Sequence, residues 1–156
     1  MGTDIHTYVE VRKNGVWTAH KEFTPFDWRS YGMFGFLAGV RNYSQVPLIQ
    51  EPTYAVPDDC SSWVREESDW LSGAHSHGCL TLRQLVEYDY TQVFWDRRVM
   101  KQIGAGVWNG AALAEEGEGR HLTIRKFLGE DFFVDIEKLK LLGGLDDVRV
   151  IFWFDS

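Results

Sequence analysis

Acidic groups and a histidine lie at the two ends of this chain, in segments that read as strands. The chain opens with MGTDIHTYVEV and closes with DDVRVIFWFDS. Because side chains alternate between the two faces of a strand, Asp4 and His6 share one face of the first strand. If the two end strands pair antiparallel, Asp155 comes close to both. The sequence therefore predicts a polar binding site where the ends meet.

A second group of polar side chains lies in the segment GAHSHGC, which reads as a turn-like loop. With Cys60, the residues His75, His77 and Cys79 offer two imidazoles and two thiols, a set that can hold zinc. Their spacing matches no zinc motif, however. We therefore prefer the interpretation of a polar loop with a buried free cysteine.

A third arrangement combines these two groups. Asp4 and His6 would join His75, His77 or Asp155 at an open site, where two histidines and a carboxylate suit a catalytic zinc or other divalent metal with a bound water. The set that we name as metal ligands is Asp4, His6 and His75. The competing interpretation is a strand-end aspartate and a histidine that is hydrogen-bonded to the backbone. We expect no cofactor and keep the metal as the alternative.

Arg41 is the candidate for binding an anion, because a guanidinium suits phosphate and carboxylate groups. It follows an apolar segment, FGFLAGV, and precedes a loop that carries an aromatic residue. Other catalytic classes lack support: GAGVWNG has the wrong spacing for a dinucleotide fingerprint, and the sequence contains no GxSxG motif.

Composition narrows the function further. The net charge is −7, from 23 acidic and 16 basic residues, which argues against a nonspecific nucleic-acid binder. Aromatic residues make up 15% of the chain, more than a small core needs, so we expect some to line a pocket or an interface. No apolar run approaches 18 residues and no segment resembles a signal peptide, so we expect a cytoplasmic protein without a membrane partner.

The pattern of elements predicts a single α+β domain over residues 1–156, with a mainly antiparallel sheet and helices packed on one side. Residues 3–20 read as a hairpin around Asn14-Gly15, a strong two-residue turn signal. Helices are expected over residues 29–39 and 62–71, and from the capping box at Thr81. The final strand should join the N-terminal hairpin in one sheet.

Other segments give weaker signals. Three prolines make residues 40–59 an irregular arm, and the Gly- and Ala-rich residues 104–120 are expected to form loops with one helical turn at AALAEE. HLTIRKFL alternates like a strand, and Asp135 is expected to cap the helix IEKLKLL.

Four segments together carry a resemblance: MGTDIHTYVEV, FGFLAGVRN, HSHGCLTLRQLVEY and VRVIFWFDS. They resemble a group of small uncharacterised proteins of tailed bacteriophages that begin MGxDIHxxVE and end FWFD. The resemblance brings no established activity. It implies the cytoplasm of an infected bacterium as the setting, and it marks five positions as a ligand site: Asp4, His6, Arg41, His75 and Asp155.

Three functions compete on this basis. The first is a small phage-type accessory protein that binds a host protein or a small, nucleotide-like ligand. The second is a metal-dependent hydrolase that uses Asp4, His6 and His75. The third is a scaffolding role. The aromatic surplus and the lack of a complete catalytic motif favour the binding module, and the sequence leaves the oligomeric state open.

Overall fold

The computed structural model describes residues 2–156, which divide into two compact units. The first unit contains the described residues through Arg29 together with Glu51–Tyr88 and Glu130–Ser156. Its elements are β1 (Asp4–Lys13), β2 (Val16–His20), α2 (Ser62–Trp70), β3 (His75–Thr81), α3 (Leu82–Glu87), α5 (Glu130–Lys140) and β8 (Val148–Asp155). The second unit is Ser30–Gln50 with Asp89–Gly129. It holds α1 (Tyr31–Ala38), β4 (Val93–Asp96), β5 (Arg98–Gly104), β6 (Val107–Leu113), β7 (Arg120–Thr123) and α4 (Ile124–Leu128).

The N-terminal hairpin forms as the sequence predicts. β1 and β2 pair antiparallel, and Lys13 lies opposite Val16. The two turn residues both have positive φ, 52° at Asn14 and 77° at Gly15, as a type I′ turn requires. Asparagine and glycine are the residues that adopt this conformation at least cost, so the local sequence fixes the register of the hairpin.

The C-terminal strand lies in the middle of the sheet of the first unit. The strand order is β2-β1-β8-β3, and β8 pairs antiparallel with both neighbours. Asp4 lies opposite Asp155, so the beginning of β1 and the end of β8 lie together. The predictions of one sheet for the hairpin and the last strand, and of Asp155 beside Asp4, are confirmed.

Both faces of β8 are covered, since residues 148–154 are all buried. On one face Ile151 and Trp153 form a cluster with Val56 and with Val64 of α2. On the other face the ring of Phe152 lies over Gly78, where an added Cβ would meet the ring at 2.5 Å. The prediction placed helices on one side of the sheet; α2 covers one face, and the burial of β8 shows that the opposite face is covered too.

Local signals set the starts of three helices. The hydroxyls of Ser30, Ser61 and Thr81 accept hydrogen bonds from backbone N–H groups in the first turns of α1, α2 and α3. Thr81 and Gln84 form the complete capping box that the sequence predicts. At the end of α1, Gly39 adopts the left-handed conformation at φ 71°, the usual conformation of a glycine that ends a helix.

The second unit holds two separate two-stranded antiparallel sheets, β4-β7 and β5-β6. Two segments of this unit differ from the structure that their sequence predicts. The segment expected to be a helical turn, AALAEE, supplies the end of β6, because pairing with β5 overrides the helix preference of alanine. The alternating segment HLTIRKFL is a strand only to Thr123, whose hydroxyl caps α4 by accepting from the N–H of Lys126.

Two further expectations in the first unit are corrected. Residues 75–81 form strand β3 rather than a loop, since they pair with β8. Asp135 does not cap a helix but lies inside α5, where its Oδ2 accepts a hydrogen bond from the N–H of Phe26. Burial raises the pKa of this carboxyl group.

The α+β class, the mainly antiparallel sheets, the N-terminal hairpin and the C-terminal strand are confirmed. The assignment of residues 1–156 to one domain stays a prediction. Across residues 2–156, no helix combines the length and the apolar character needed to cross a membrane.

Candidate functional site

Three of the five predicted ligand-binding residues meet where β1 begins and β8 ends. His6 Nε2 contacts Asp155 Oδ2, and both side chains are about one-third exposed, 34% and 36%. Asp4 lies opposite Asp155 and forms a two-pronged ion pair with Arg29, with Nε–Oδ1 and Nη2–Oδ2 distances of 3.0 Å each. The hydrogen bond from Arg29 lowers the pKa of Asp4. Arg29 therefore belongs to this group, although no local motif marks it.

Aromatic rings lie beside the His6–Asp155 pair on the same face of the sheet. His6 lies opposite Trp153 in the sheet, and the indole ring of Trp153 also lies 5.4 Å from the ring of His77 on β3. Tyr8, two residues further along β1, stacks on Trp153 with ring centroids 4.5 Å apart. Burial, with the charge of Glu67 as a smaller cause, raises the pKa of Tyr8 to about 12. One face of the sheet thus carries both the His6–Asp155 pair and a stack of rings.

His75 does not join this face. It lies opposite Phe154, and Phe154 lies on the side of β8 opposite to Trp153 because strand side chains alternate. A register shift between His75 and Gly78, with Ser76 at φ 56°, places His77 beside Trp153. The Nε2 atom of His75 instead lies 3.0 Å from the hydroxyl of Ser156. The β-bulge therefore sends the two histidines of the HSH segment to opposite faces.

The three histidines each have a different partner. His6 contacts Asp155, His75 contacts the hydroxyls of Ser76 and Ser156, and His77 lies 3.4 Å from the hydroxyl of Ser68. Burial and the neighbouring His75 lower the pKa of His77. Among residues 2–156, no serine, histidine and aspartate are linked in one chain of contacts. The His6–Asp155 pair can hold or pass a proton, because a carboxylate orients an imidazole and stabilises its charged form.

The predicted metal ligands are not brought together. In the part of the chain that the structure describes, no group of three or more His, Cys, Asp or Glu side chains is arranged to hold a metal ion. Asp4 and His6 share a face, but His75 lies on the other. Cys60 and Cys79 form no disulfide and pack against the Ile151–Trp153 cluster. Burial raises the pKa of Cys79 to about 11, so its thiol is neutral at physiological pH.

A buried ion pair at the far end of the same face escaped the sequence analysis. Glu10 and Arg149 lie opposite each other in β1 and β8, with an N–O distance of 2.8 Å and side-chain exposures of 0% and 7%. Glu10 also accepts the backbone N–H of Ser61, the residue that caps α2, at 2.6 Å. The Arg149 guanidinium lies 4.0 Å from the centre of the Trp17 ring. The pair thus connects the strands to the start of α2, and its signal was the presence of opposite charges, Glu10 and Arg149, in two strands that are expected to pair.

The fifth predicted residue, Arg41, lies in the second unit. It is in the loop after α1, where its Nη1 donates to the hydroxyl of Tyr43 at 3.0 Å and its guanidinium lies 5.5 Å from the ring centre of Tyr31. Its immediate environment in that unit is therefore aromatic.

The second unit also carries an exposed apolar surface that the sequence analysis missed. Arg98 pairs with Leu113 and Gln102 pairs with Trp108 across β5 and β6, so the alternation of β5 puts Met100 on the same face as these residues. The exposed fractions are 69% for Met100, 57% for Trp108 and 46% for Leu113. We call these three residues the ribbon face. Ile103 and Val107, near the turn of the ribbon, are exposed as well. The sequence did carry a signal for this surface: the segment 98–113 contains apolar residues without the periodic spacing that would bury them on one face.

Comparison with protein-family models, with curated proteins and with solved structures yields no match for this chain.

Proposed function

We propose that this chain is a protein-binding module and that the ribbon face is its contact surface. The observation that carries the proposal is the concentration of exposed apolar side chains on one short two-stranded ribbon. Met100, Trp108 and Leu113 share one face of β5-β6 and are each about half exposed or more. Exposed apolar patches on a small domain mark interaction sites, and tryptophan is among the residues that dominate interface energies.

The backbone of the ribbon supports the same function. β5 and β6 form a sheet of two strands, so each strand has an outer edge to which another strand can add. A two-stranded sheet is marginal by itself in water. A partner that covers the ribbon face would bury its tryptophan and stabilise the pairing.

Charge indicates the kind of partner. The segment 97–113 contains Arg97, Arg98 and Lys101 and no acidic residue, in a chain of net charge −7. Lys101 is paired with Glu118 at 3.0 Å, whereas Arg98 is in no ion pair with any residue from 2 to 156. The surface that fits best is a protein patch with an apolar centre and an acidic border. If the resemblance to phage proteins holds, the partner is a protein of the bacterial host.

The proposal is tested by a photo-activatable cross-linker placed at Gln102, which is exposed and shares the ribbon face. The cross-linker at Trp70, which is 82% exposed in the first unit, is the matched control. In bacterial extract we expect a discrete product from position 102 that position 70 does not give, and mass spectrometry identifies the protein attached.

The identified protein is then purified and titrated against variants. Trp108→Ser should weaken binding by about 10-fold or more, as expected for a tryptophan anchor, and Trp70→Ser should leave it unchanged. Equal affinities of the two variants, or products that do not differ between positions 102 and 70, contradict the proposal. Concentration-dependent self-association that Trp108→Ser abolishes would make a second copy of the chain the occupant and overturn the proposed class of partner.

A further inference from the structure

Two arginines and two tyrosines of the second unit converge at the base of the ribbon. The guanidinium carbons of Arg41 and Arg98 lie 5.5 and 5.9 Å from the ring centre of Tyr31. Arg98 also lies 5.5 Å from the ring centre of Tyr43, and the two tyrosine rings are 6.2 Å apart. We call these four residues the arginine–tyrosine cluster. Its two positive charges are gathered around one aromatic ring.

The loop that presents Arg41 and Tyr43 is held rigidly. The side chain of Asn42 both donates to the carbonyl and accepts from the N–H of Val46, each at 3.0 Å. The carbonyl of Ser44 accepts a hydrogen bond from the N–H of Arg97 at 3.1 Å. Arg41 itself has a φ of 50°, a left-handed conformation that is costly for a residue with a side chain. Such strain persists where the surroundings enforce it, and it tends to occur in binding sites.

Arg98 and Tyr43 are each oriented by one hydrogen bond of the side chain, which leaves a further donor on the same side chain for a ligand. The Nε of Arg98 donates to the carbonyl of Gly110 at 2.8 Å, which anchors the guanidinium while its two terminal amino groups make no ion pair with residues 2–156. The hydroxyl of Tyr43 accepts from Arg41, so its own proton remains to be donated. The hydrogen bond from Arg41 to Tyr43 also raises the pKa of Arg41.

The nearest acidic residue in sequence is already engaged. Asp96 accepts the backbone N–H of Arg98 with Oδ1 and pairs with Arg120 through Oδ2 at 3.1 Å. The Asp96 side chain is buried, with 6% exposed, so it does not turn outward to neutralise the Arg98 side chain. Asp96 therefore leaves the positive charge of the Arg98 side chain uncompensated.

We propose that the arginine–tyrosine cluster is a binding site for a phosphate monoester. A phosphate monoester carries a charge of about −1.5 to −2 at neutral pH and has three acceptor oxygens. Two guanidinium groups and a phenol hydroxyl match that charge and that number of acceptors better than they match a single carboxylate. Arg98 lies on the same face of β5 as Met100, but phosphate binding needs no protein partner, so it is measured separately from the function proposed for the ribbon face.

The test is an NMR titration of the whole chain with phenyl phosphate, followed at backbone amides of residues 41–46 and at the Nε–H of Arg98. We expect saturable shifts at these positions. Arg98→Gln should weaken the affinity by about 10-fold, the loss expected when one charged hydrogen-bond donor is removed. Tyr43→Phe should weaken it less, since it removes one neutral donor.

Three controls make the outcome decisive. Lys126→Gln removes one exposed positive charge from the same unit and should leave the affinity unchanged. Sodium chloride at matched ionic strength should give no saturable shift at residues 41–46. Benzoate should bind much more weakly than phenyl phosphate. Equal effects of Arg98→Gln and Lys126→Gln, equal affinity for benzoate, or shifts that chloride reproduces would each overturn the proposal.

Discussion

At the scale of single residues, the charged groups of the first unit divide into exposed and buried pairs with different consequences. Asp4–Arg29 and Arg12–Asp147 are exposed pairs, which contribute little to stability because water screens them. Glu10–Arg149 is buried, so the carboxylate of Glu10 depends on Arg149, which also pairs with the exposed Asp59 at 3.0 Å.

Replacing Arg149 by methionine should lower the free energy of unfolding by about 3–5 kcal/mol, because it leaves the carboxylate of Glu10 buried without a cation. The matched control is Arg12→Met, which removes an arginine of the same sheet whose side chain is 39% exposed. This change should cost about 1 kcal/mol or less. Urea unfolding of the two variants measures the difference, and equal losses would show that the buried pair is no more important than the exposed one.

The histidines at the end of the sheet determine which proton-binding groups the candidate site contains. The three histidines at this end of the sheet differ in their partners. His6 contacts a carboxylate, His75 contacts two hydroxyls and His77 lies near one hydroxyl. Burial lowers the pKa of His77, so folding favours its neutral form. The stability that it contributes is present above the ordinary histidine pKa and is lost as the pH falls below it.

At the scale of elements, β3 shows how a short irregular strand can determine a site. The segment 73–79 has no clear alternation, which is why the sequence predicts a loop. It forms a strand because β8 offers a free edge, and its bulge at Ser76 separates His75 from His77. Bulges of this kind re-aim side chains next to functional sites.

The close packing of β3 on β8 gives a specific prediction. Gly78→Ala should destabilise the protein by about 1–3 kcal/mol, since the new methyl group would overlap the buried ring of Phe152. Gly110→Ala is the control. Gly110 is also a strand glycine, but open space surrounds the position of its Cβ, so its replacement should be neutral or slightly stabilising. Thermal unfolding of both variants checks the contrast, and a loss at Gly110 as large as that at Gly78 would contradict it.

At the scale of the whole molecule, the last strand in the sequence is the centre of the main sheet. β8 pairs with β1 and with β3, and it is buried along residues 148–154. Both of its neighbours therefore depend on a segment that comes later in the chain than either of them. Such pairing between distant segments must overcome the entropy of closing long loops before it is stabilised.

The central place of β8 predicts a large effect for one of its side chains. Phe152 is 1% exposed and lies between Thr7 on β1 and Gly78 on β3. Phe152→Ala should lower the free energy of unfolding by about 3–5 kcal/mol through lost burial and the cavity left behind. Val93→Ala, at a side chain that is 64% exposed, should change it by about 0.5 kcal/mol or less. Denaturant unfolding distinguishes the two, and a small loss at Phe152 would show that β8 is not the core of the sheet.

The sequence alone determined the features that depend on neighbouring residues. Asn14-Gly15 set the hairpin, Thr81 with Gln84 set the start of α3, and the period of two in residues 148–154 set the last strand. Each is local: a turn conformation, a cap or an alternation of side chains acts within a few residues. The meeting of Asp4, His6 and Asp155 followed from two such strands once they were taken to pair.

The tertiary structure decided everything that depends on a partner distant in the chain. β3 and β6 are strands because other strands pair with them, although their local sequence predicts a loop and a helical turn. His75 is separated from His6 by a bulge whose position no local pattern shows, and Arg29 and Arg98 acquire their roles from residues that the fold brings to them. Local sequence cannot specify these contacts, because their energy comes from burial and pairing that exist only after the segments have met.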